Sequence, residues 1–329
     1  MRQFGYVRAA DVEGALTSLA GTPEARYLGG GTNLVDLMKL GVETPSLLVD
    51  VSALPLAEIT ETADGSVRIG AAVRNSDLAA HPAIRRGFPA VAEAVLAGAS
   101  GQLRNLATVG GNLMQRTRCS YFMDVSKPCN KRQPGTGCPA RTGEHHNHAI
   151  LGASEHCVAT SPSDLAVALA AFDAQLLIRQ GAAELTVPIR QFRRLPGDRP
   201  DLDTSLAPGA LITAVLLPAS GLAARSRYRK VRERASYAFA IGSIAAALDV
   251  ADGRVVDSRI AWGAVAAVPW RAQTAERELL GKPATAATFR AAAEAELAQA
   301  EPLIGNAYKV ELLTNLTVSV LTELAGASR

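Results

Sequence analysis

Apolar and polar positions along the chain follow two periods, one helical and one alternating. In DVEGALTSLAG, Val12, Ala15, Leu16 and Leu19 share one helical face. ARYL reads as a short strand entering GGGTNL, NLVDLMKLG as a helix stopped at Gly41, and PSLLVDVS as a strand. Residues 1–60 thus form a βαβ-like unit with a glycine-rich turn between strand and helix. A strand (SVRIGAAV), a polar helix start (NSDLAAH) and a helix (FPAVAEAVLAGAS) follow, and LRNLATVGGNLMQRT sets a second glycine turn between apolar segments. PSDLAVALAAFDAQLLIR is a helix running into a strand. Residues 184–218 are strands and loops, punctuated by Pro188, Pro196, Pro200, Pro208 and Pro218.

The segment 219–226 (ASGLAARS) reads as a domain boundary. Beyond it, RYRKVRERASYAFAIGSIAAALDVADGRVVDSRIAWGAVA gives three strands, the last two joined at ADGR, and helices follow Pro269. No internal repeat is visible. The expected organisation is α+β: residues 1–220 in two parts, 1–60 and 61–220, then 221–329 as a three-stranded sheet packed on helices. A length of 329 residues suits such a division.

Composition removes several classes. Hydrophobic residues at 48% and charged residues at 20% exclude a disordered chain, and 28 glycines with 17 prolines exclude a collagen-like one. Aromatics at 5% and a net charge of +3 argue against a nucleic-acid partner. MRQFGYVRAADVEGAL lacks the apolar segment of a secretory leader, and the apolar run 240–251 is too short to span a membrane. A soluble chain with no membrane partner is expected.

All four cysteines, Cys119, Cys129, Cys138 and Cys157, lie in one stretch spaced C-x9-C-x8-C-x18-C. The stretch is rich in Pro, Gly, Arg and His, so it is expected to form a loop (115–160) without a core. Disulfide frameworks belong to small secreted domains. Four thiolates suit either an iron–sulfur cluster or a zinc ion, and wide spacing on a long loop favours the cluster. Because His145, His146, His148 and His156 lie here too, a mixed Cys/His zinc site stays open.

Three glycines in GGGTN (29–33) allow positive φ and close approach of a ligand to the main chain, and Thr32 and Asn33 add donors. The alternative is a tight strand-to-helix turn without a ligand. The second turn, NLATVGGN (105–112), carries Thr108 and Asn112 and has the same chemistry, so the two turns could clamp a pyrophosphate. Asp164 opens a helix, either as a plain cap or to accept from a ribose hydroxyl. The basic run 225–234 suits a strand with one solvated face, and Lys230 is the cation expected to turn inward.

Together, GGGTNLVDLMK, RNLATVGGNL, SPSDLAVAL and YRKVRERASYAFA resemble, in order and spacing over the whole chain, the FAD-binding medium subunits of the molybdenum hydroxylases, the xanthine dehydrogenase and carbon monoxide dehydrogenase superfamily. The cysteine loop between GGN and SPSD is similar to that of the bacterial periplasmic aldehyde oxidoreductases, which are heterotrimers. The resemblance implies a two-part FAD-binding domain of the PCMH/VAO-like type. It implies that Arg26, Tyr27, Leu28, Gly29, Gly30, Gly31, Thr32, Asn33 and Leu34 wrap the FAD pyrophosphate, with Thr108 on the second side. Asp164 would bond the FAD, Lys230 would add a positive charge, and Ile212 would pack against the cofactor. Cys119, Cys129, Cys138 and Cys157 would ligate a [4Fe–4S] cluster, with Arg118, Lys131 and Arg132 near enough to tune it.

The implied activity is electron relay. A molybdenum cofactor-binding large subunit would oxidise an aldehyde to a carboxylic acid, a [2Fe–2S] small subunit would pass the electrons, and FAD on this chain would reduce an external acceptor. The chain carries no motif for molybdenum or for the aldehyde. Three alternatives remain: a free-standing flavoprotein with a zinc-stapled loop, the medium subunit of a xanthine dehydrogenase-like hydroxylase, and a non-catalytic nucleotide-binding module. The expected location is periplasmic, by export with a partner that bears a twin-arginine signal, with cytoplasmic residence as the alternative.

Overall fold

Strand β1 (Gly5–Arg8) leads into the helix Val12–Ala20, which Asp11 caps by accepting from Gly14 N at 2.7 Å. The computed structural model describes residues 1–327. In it β1, β2 (Arg26–Leu28) and β3 (Leu47–Asp50) form a parallel sheet in the order β1-β3-β2, with the helix Leu34–Lys39 between β2 and β3. Ala15, Leu16, Val49 and Leu54 make its small core, joined by Leu211 from the next sheet.

That sheet is antiparallel, in the order β4-β5-β8-β6-β7, from β4 (Ile59–Glu61), β5 (Val67–Gly70), β6 (Gln175–Gln180), β7 (Ala183–Pro188) and β8 (Leu211–Leu217). The helices Pro89–Ala97 and Asp164–Ala171 contribute to the same core, the largest of the protein. The helix Asp164–Ala171 is apolar almost all round, as a helix buried on every side must be.

The third sheet runs β12-β11-β10-β9, from β9 (Ser226–Val231), β10 (Gly242–Ala251), β11 (Arg254–Gly263) and β12 (Trp270–Arg271), and it shares a core with the helices Gln273–Leu279, Ala286–Leu297 and Tyr308–Ala327. Asp252 (φ 50°) and Gly253 (φ 72°) turn β10 into β11 with the two positive φ values a tight hairpin requires. Tyr228 N donates to Glu93 Oε2 at 2.7 Å and Arg271 Nη1 to the Ala170 carbonyl at 3.0 Å, fastening this sheet to the middle part of the chain.

Three expectations need correction. The last sheet has four strands: β12 is only two residues long and follows Pro269, so no alternating pattern marks it. Strands β1 and β4 also escape the pattern, β1 because all four of its residues are exposed and β4 because it has three residues. The cysteine stretch, finally, does contribute to a core. Ile150 and Leu151 are fully buried in the third sheet's core, and both their N–H groups donate to the Val265 carbonyl. Histidines and glycines on either side mask that short apolar run in the sequence.

Candidate functional site

The first glycine segment leaves β2 and packs directly on the second. A Cβ on Gly30 would lie 2.0 Å from the Leu106 carbonyl oxygen, one on Gly29 would lie 2.8 Å from Thr108 Oγ1, and Gly31 has φ +74°. Among the described residues, no acceptor meets the N–H groups of Gly29, Gly30, Gly31, Thr32 or Asn33. Asn33 Oδ1 accepts from Arg116 N at 3.1 Å, while its Nδ2 is buried without a partner. A run of unengaged amides closed by an orphaned amide nitrogen is a donor set for an anion. Arg26 and Tyr27, just before it, turn elsewhere: Arg26 Nη1 donates to Ala25 O at 2.9 Å and Tyr27 OH to Gly209 O at 2.8 Å. Burial pushes the Tyr27 phenol up to about 12.

The second glycine segment differs from expectation. It is no open turn: Thr108 caps the helix Val109–Met114 by accepting from Gly111 N at 3.1 Å, so both glycines sit inside that helix. Val109 N donates to Val73 O, Gly110 N to Ala71 O and Asn112 N to Thr108 O. The amides of Val109 to Asn112 are thus engaged within the chain, and Gly110 is small because its Cβ would stand 3.2 Å from that of Ala71. The two segments share a glycine signature but not a task. The first presents unengaged amides and the second packs against it.

Beside them a cleft opens between the middle part of the chain and the third sheet, lined by Thr117, Arg118, Cys119, His148, Ser161, Asp164 and Val167 on one side and by Glu233, Phe239, Ser243 and Ala264 on the other. It holds about 880 Å³ of space free of protein atoms, its open mouth included, which is room for a fused-ring ligand. Ser161 Oγ and His148 Nδ1 are buried without partners here.

Asp164 and Lys230 are brought together. Asp164 Oδ2 accepts from Lys230 Nζ at 2.8 Å and Oδ1 from Tyr228 OH at 2.5 Å. Burial first, then the Asp164 charge, raises the Tyr228 pKa well above its ordinary value and keeps the phenol protonated as a donor. Ile212 stands on β8 within the main core, paired in register with Ile178, and is 4% exposed.

All four cysteines are free and line one pocket with Tyr121, Phe122, Lys131, His156 and several small residues. Cys119 lines this pocket and the cleft alike. Burial pushes the Cys119 thiol up to about 11 and raises Cys157 as well. Among the described residues, no three or more His, Cys, Asp or Glu side chains are gathered closely enough for one metal ion.

The histidines divide. His145 is engaged by the Ala140 carbonyl and by Gly305 N, and His146 stacks on Tyr308 and faces Glu233 at 3.2 Å. His148 Nε2 lies 3.1 Å from Cys119 Sγ, and burial lowers His148 to about 4.

The pocket's walls are held by ion pairs that sequence reasoning missed. Lys131 Nζ donates to Asp203 Oδ1 at 2.6 Å, and Arg116 binds Asp203 Oδ2 at 2.6 Å and Glu43 Oε1 at 2.7 Å. Burial alone would raise Asp203, but Arg116 and Lys131 outweigh it and hold the carboxyl down to about 2. Arg118 pairs with Asp36 at 2.8 Å and covers the Phe239 ring, and Arg132 Nη1 caps the carbonyls of Tyr121 and Phe122. Asp203 and Glu43 are far from the cysteines in sequence, and no local pattern marks them.

A donor loop beside a ring-sized cleft is the architecture of a flavin-binding protein, and the chain belongs to the family described as the FAD binding domain in molybdopterin dehydrogenase, which matches residues 2–220. Residues 226–324 match the CO dehydrogenase flavoprotein C-terminal domain. The protein is accordingly an FAD-binding oxidoreductase subunit of the molybdenum hydroxylase type. Over 325 residues it is 46% identical to the Escherichia coli K12 aldehyde oxidoreductase FAD-binding subunit PaoB, covering 98% of each chain. It is 25% identical to the Sulfolobus acidocaldarius glyceraldehyde dehydrogenase medium chain, covering 85% of this chain and 82% of that one. Among solved structures, carbon monoxide dehydrogenase from Hydrogenophaga pseudoflava matches with a TM-score of 0.76 at 25% identity, covering 99% of this chain and 98% of that one. Quinoline 2-oxidoreductase from Pseudomonas putida 86 shares the fold, with a TM-score of 0.77 at 24% identity over 99% of this chain and 98% of that one.

Proposed function

We propose that this chain is the FAD and [4Fe–4S] subunit of a heterotrimeric aldehyde oxidoreductase, in which a molybdenum cofactor-binding large subunit converts aldehyde to carboxylic acid and a [2Fe–2S] small subunit delivers the electrons. The observation that carries this reading is the convergence of Cys119, Cys129, Cys138 and Cys157 on one pocket that shares Cys119 with the cleft. The likeness to PaoB over nearly the full length supports the aldehyde as substrate class.

In this reading the amides of Gly29 to Asn33, with Arg26 to Leu34 around them, hold the pyrophosphate, and Thr108, packed against Gly29, lies on its second side. The cleft receives the ring system, Ser161 Oγ faces it as an unpartnered hydroxyl, and the Asp164–Lys230 pair sets its polar end. Ile212 backs the site from β8. FAD and the cluster together supply single-electron and paired-electron exchange with an external acceptor. The chain's own part is to hold both groups at adjoining cavities.

The complex is proposed to reside in the periplasm, exported with a partner. Among the described residues, no helix is long and apolar enough to cross a membrane. The test is purification of the native complex under anaerobic conditions, with partners identified by mass spectrometry and with flavin, iron, zinc and molybdenum analysis. One FAD and about four irons per copy of this chain, together with the two partners, are expected. Zinc without iron, or flavin without partners, would overturn the assignment. Recovery of the complex only from spheroplasts would overturn the location.

A further inference from the structure

We propose that His148 is a positioning residue for the cysteine-held centre, donating an Nε2–H hydrogen bond to Cys119 Sγ that raises the centre's reduction potential. The inference rests on the [4Fe–4S] reading above. Among the described residues, His148 makes the one side-chain hydrogen bond to a cysteine sulfur, at 3.1 Å. Further contacts to the cysteine sulfurs are main-chain ones: Tyr121 and Phe122 N–H groups face Cys119, and Ala159 N donates to Cys157 Sγ at the longer distance of 3.4 Å.

The direction of the bond follows from chemistry. A metal-ligating thiolate has no proton to give, so the imidazole must be the donor. Nδ1 is buried with no partner, and a proton placed there would be a buried donor without an acceptor. The tautomer with the proton on Nε2 satisfies both conditions.

The contact is also built rather than incidental. The His148 ring is buried, and its carbonyl accepts from Asn306 Nδ2 at 3.2 Å and from Lys309 Nζ at 3.0 Å. His148 N donates to His145 O at 3.0 Å. These bonds, two of them from the far end of the chain, fix the main chain that aims the ring at the sulfur. A hydrogen bond to a ligating sulfur draws electron density from it and strengthens when the centre gains negative charge. Reduction is therefore favoured, and the potential rises.

The experiment is a potentiometric titration followed by electron paramagnetic resonance on the anaerobic holo-complex, comparing wild type, His148→Leu and His148→Gln. The Leu variant is expected to keep its iron and to titrate at a more negative potential. The Gln variant, whose amide can donate, is expected to recover part of the difference. Independently, wild-type complex labelled with 15N-histidine should show a 15N coupling to the reduced centre in pulsed measurements, and labelled His148→Gln should lack it. An unmoved potential in an iron-replete Leu variant overturns the proposal. Should the Leu variant lose its iron, absence of the histidine coupling in labelled wild type, or its persistence in labelled His148→Gln, overturns it, and a coupling present in wild type and lost in His148→Gln sustains it. Wild-type complex without iron is a separate result, and it removes the cluster reading and this inference together.

Discussion

Asp164 and Lys230, 66 residues apart in sequence, meet at 2.8 Å across the boundary between the middle part of the chain and the third sheet. Both side chains are almost fully buried, and Tyr228 satisfies the second carboxylate oxygen. Removing one partner of such a pair leaves an uncompensated charge. Lys230→Met is expected to cost about 3–5 kcal/mol, and Asp164→Asn combined with Lys230→Met to cost less than Lys230→Met alone. Urea unfolding of the single and double variants measures the coupling. Strictly additive losses would show that the two side chains do not depend on each other.

Gly30 is the position where a methyl group does most harm to the donor loop. Its Cβ would meet the Leu106 carbonyl at 2.0 Å, forcing the two segments apart. Overpacking of this kind costs about 1–3 kcal/mol, and if it falls on the loop, Gly30→Ala should weaken FAD binding about 10–100-fold. Gly21→Ala, with nothing within 4 Å of the new methyl, is the control. Flavin fluorescence titration of apoprotein distinguishes them, and equal affinity in both variants would remove the pyrophosphate from this loop.

Asp203 ties the cysteine pocket to the strand-and-loop region around residues 193–205. Its carboxyl, held down to about 2 against an ordinary value near 4, is ionised in the folded protein through a range where the unfolded chain is protonated. Its contribution is therefore fully present above about pH 4 and is lost as pH falls toward 2. Asp203→Asn should lower stability by about 2 kcal/mol near neutral pH, and the gap to wild type should close between pH 4 and 2. Denaturant midpoints across that range test it, and a gap independent of pH would contradict the ion-pair account.

Lys309 gives a slope of the same sign in a more alkaline window. It is fully buried, it donates to the carbonyls of His148 and Ala264, and burial lowers it to about 7. Between pH 7 and about 10 the unfolded chain carries this proton and the folded protein does not, so stability rises with pH over that window. Compared with Lys309→Met, wild type should gain up to about 1.4 kcal/mol per pH unit. Parallel curves for the two proteins from pH 7 to 9 would show that the ammonium stays charged.

The parts of this structure that are legible in the sequence are the local ones. GGGTN announces its turn because only glycine tolerates the approach at Gly30, and ADGR announces its hairpin because Asp252 and Gly253 take positive φ. The cysteines announce a shared pocket because nothing else explains four thiols in a polar stretch. What stays hidden is whatever depends on distant partners. GGN at 110–112 looks like an open turn until Ala71 and Thr108 are seen to take its amides within a short helix. His148 looks like one histidine among four until the fold sets it on Cys119, and Asp203 has no pattern of its own. Strand β12 is invisible because two residues carry no period.

The bond from Lys309 to the His148 carbonyl spans 161 residues of sequence. On the ribosome, the cysteine stretch therefore emerges well before the helix that anchors it, by roughly 8–30 seconds at 5–20 residues per second. During synthesis the thiols therefore lie on a segment that the far end of the chain has not yet anchored. Until the end of the chain docks, His148 lacks the bonds from Asn306 and Lys309 that hold its main chain in place.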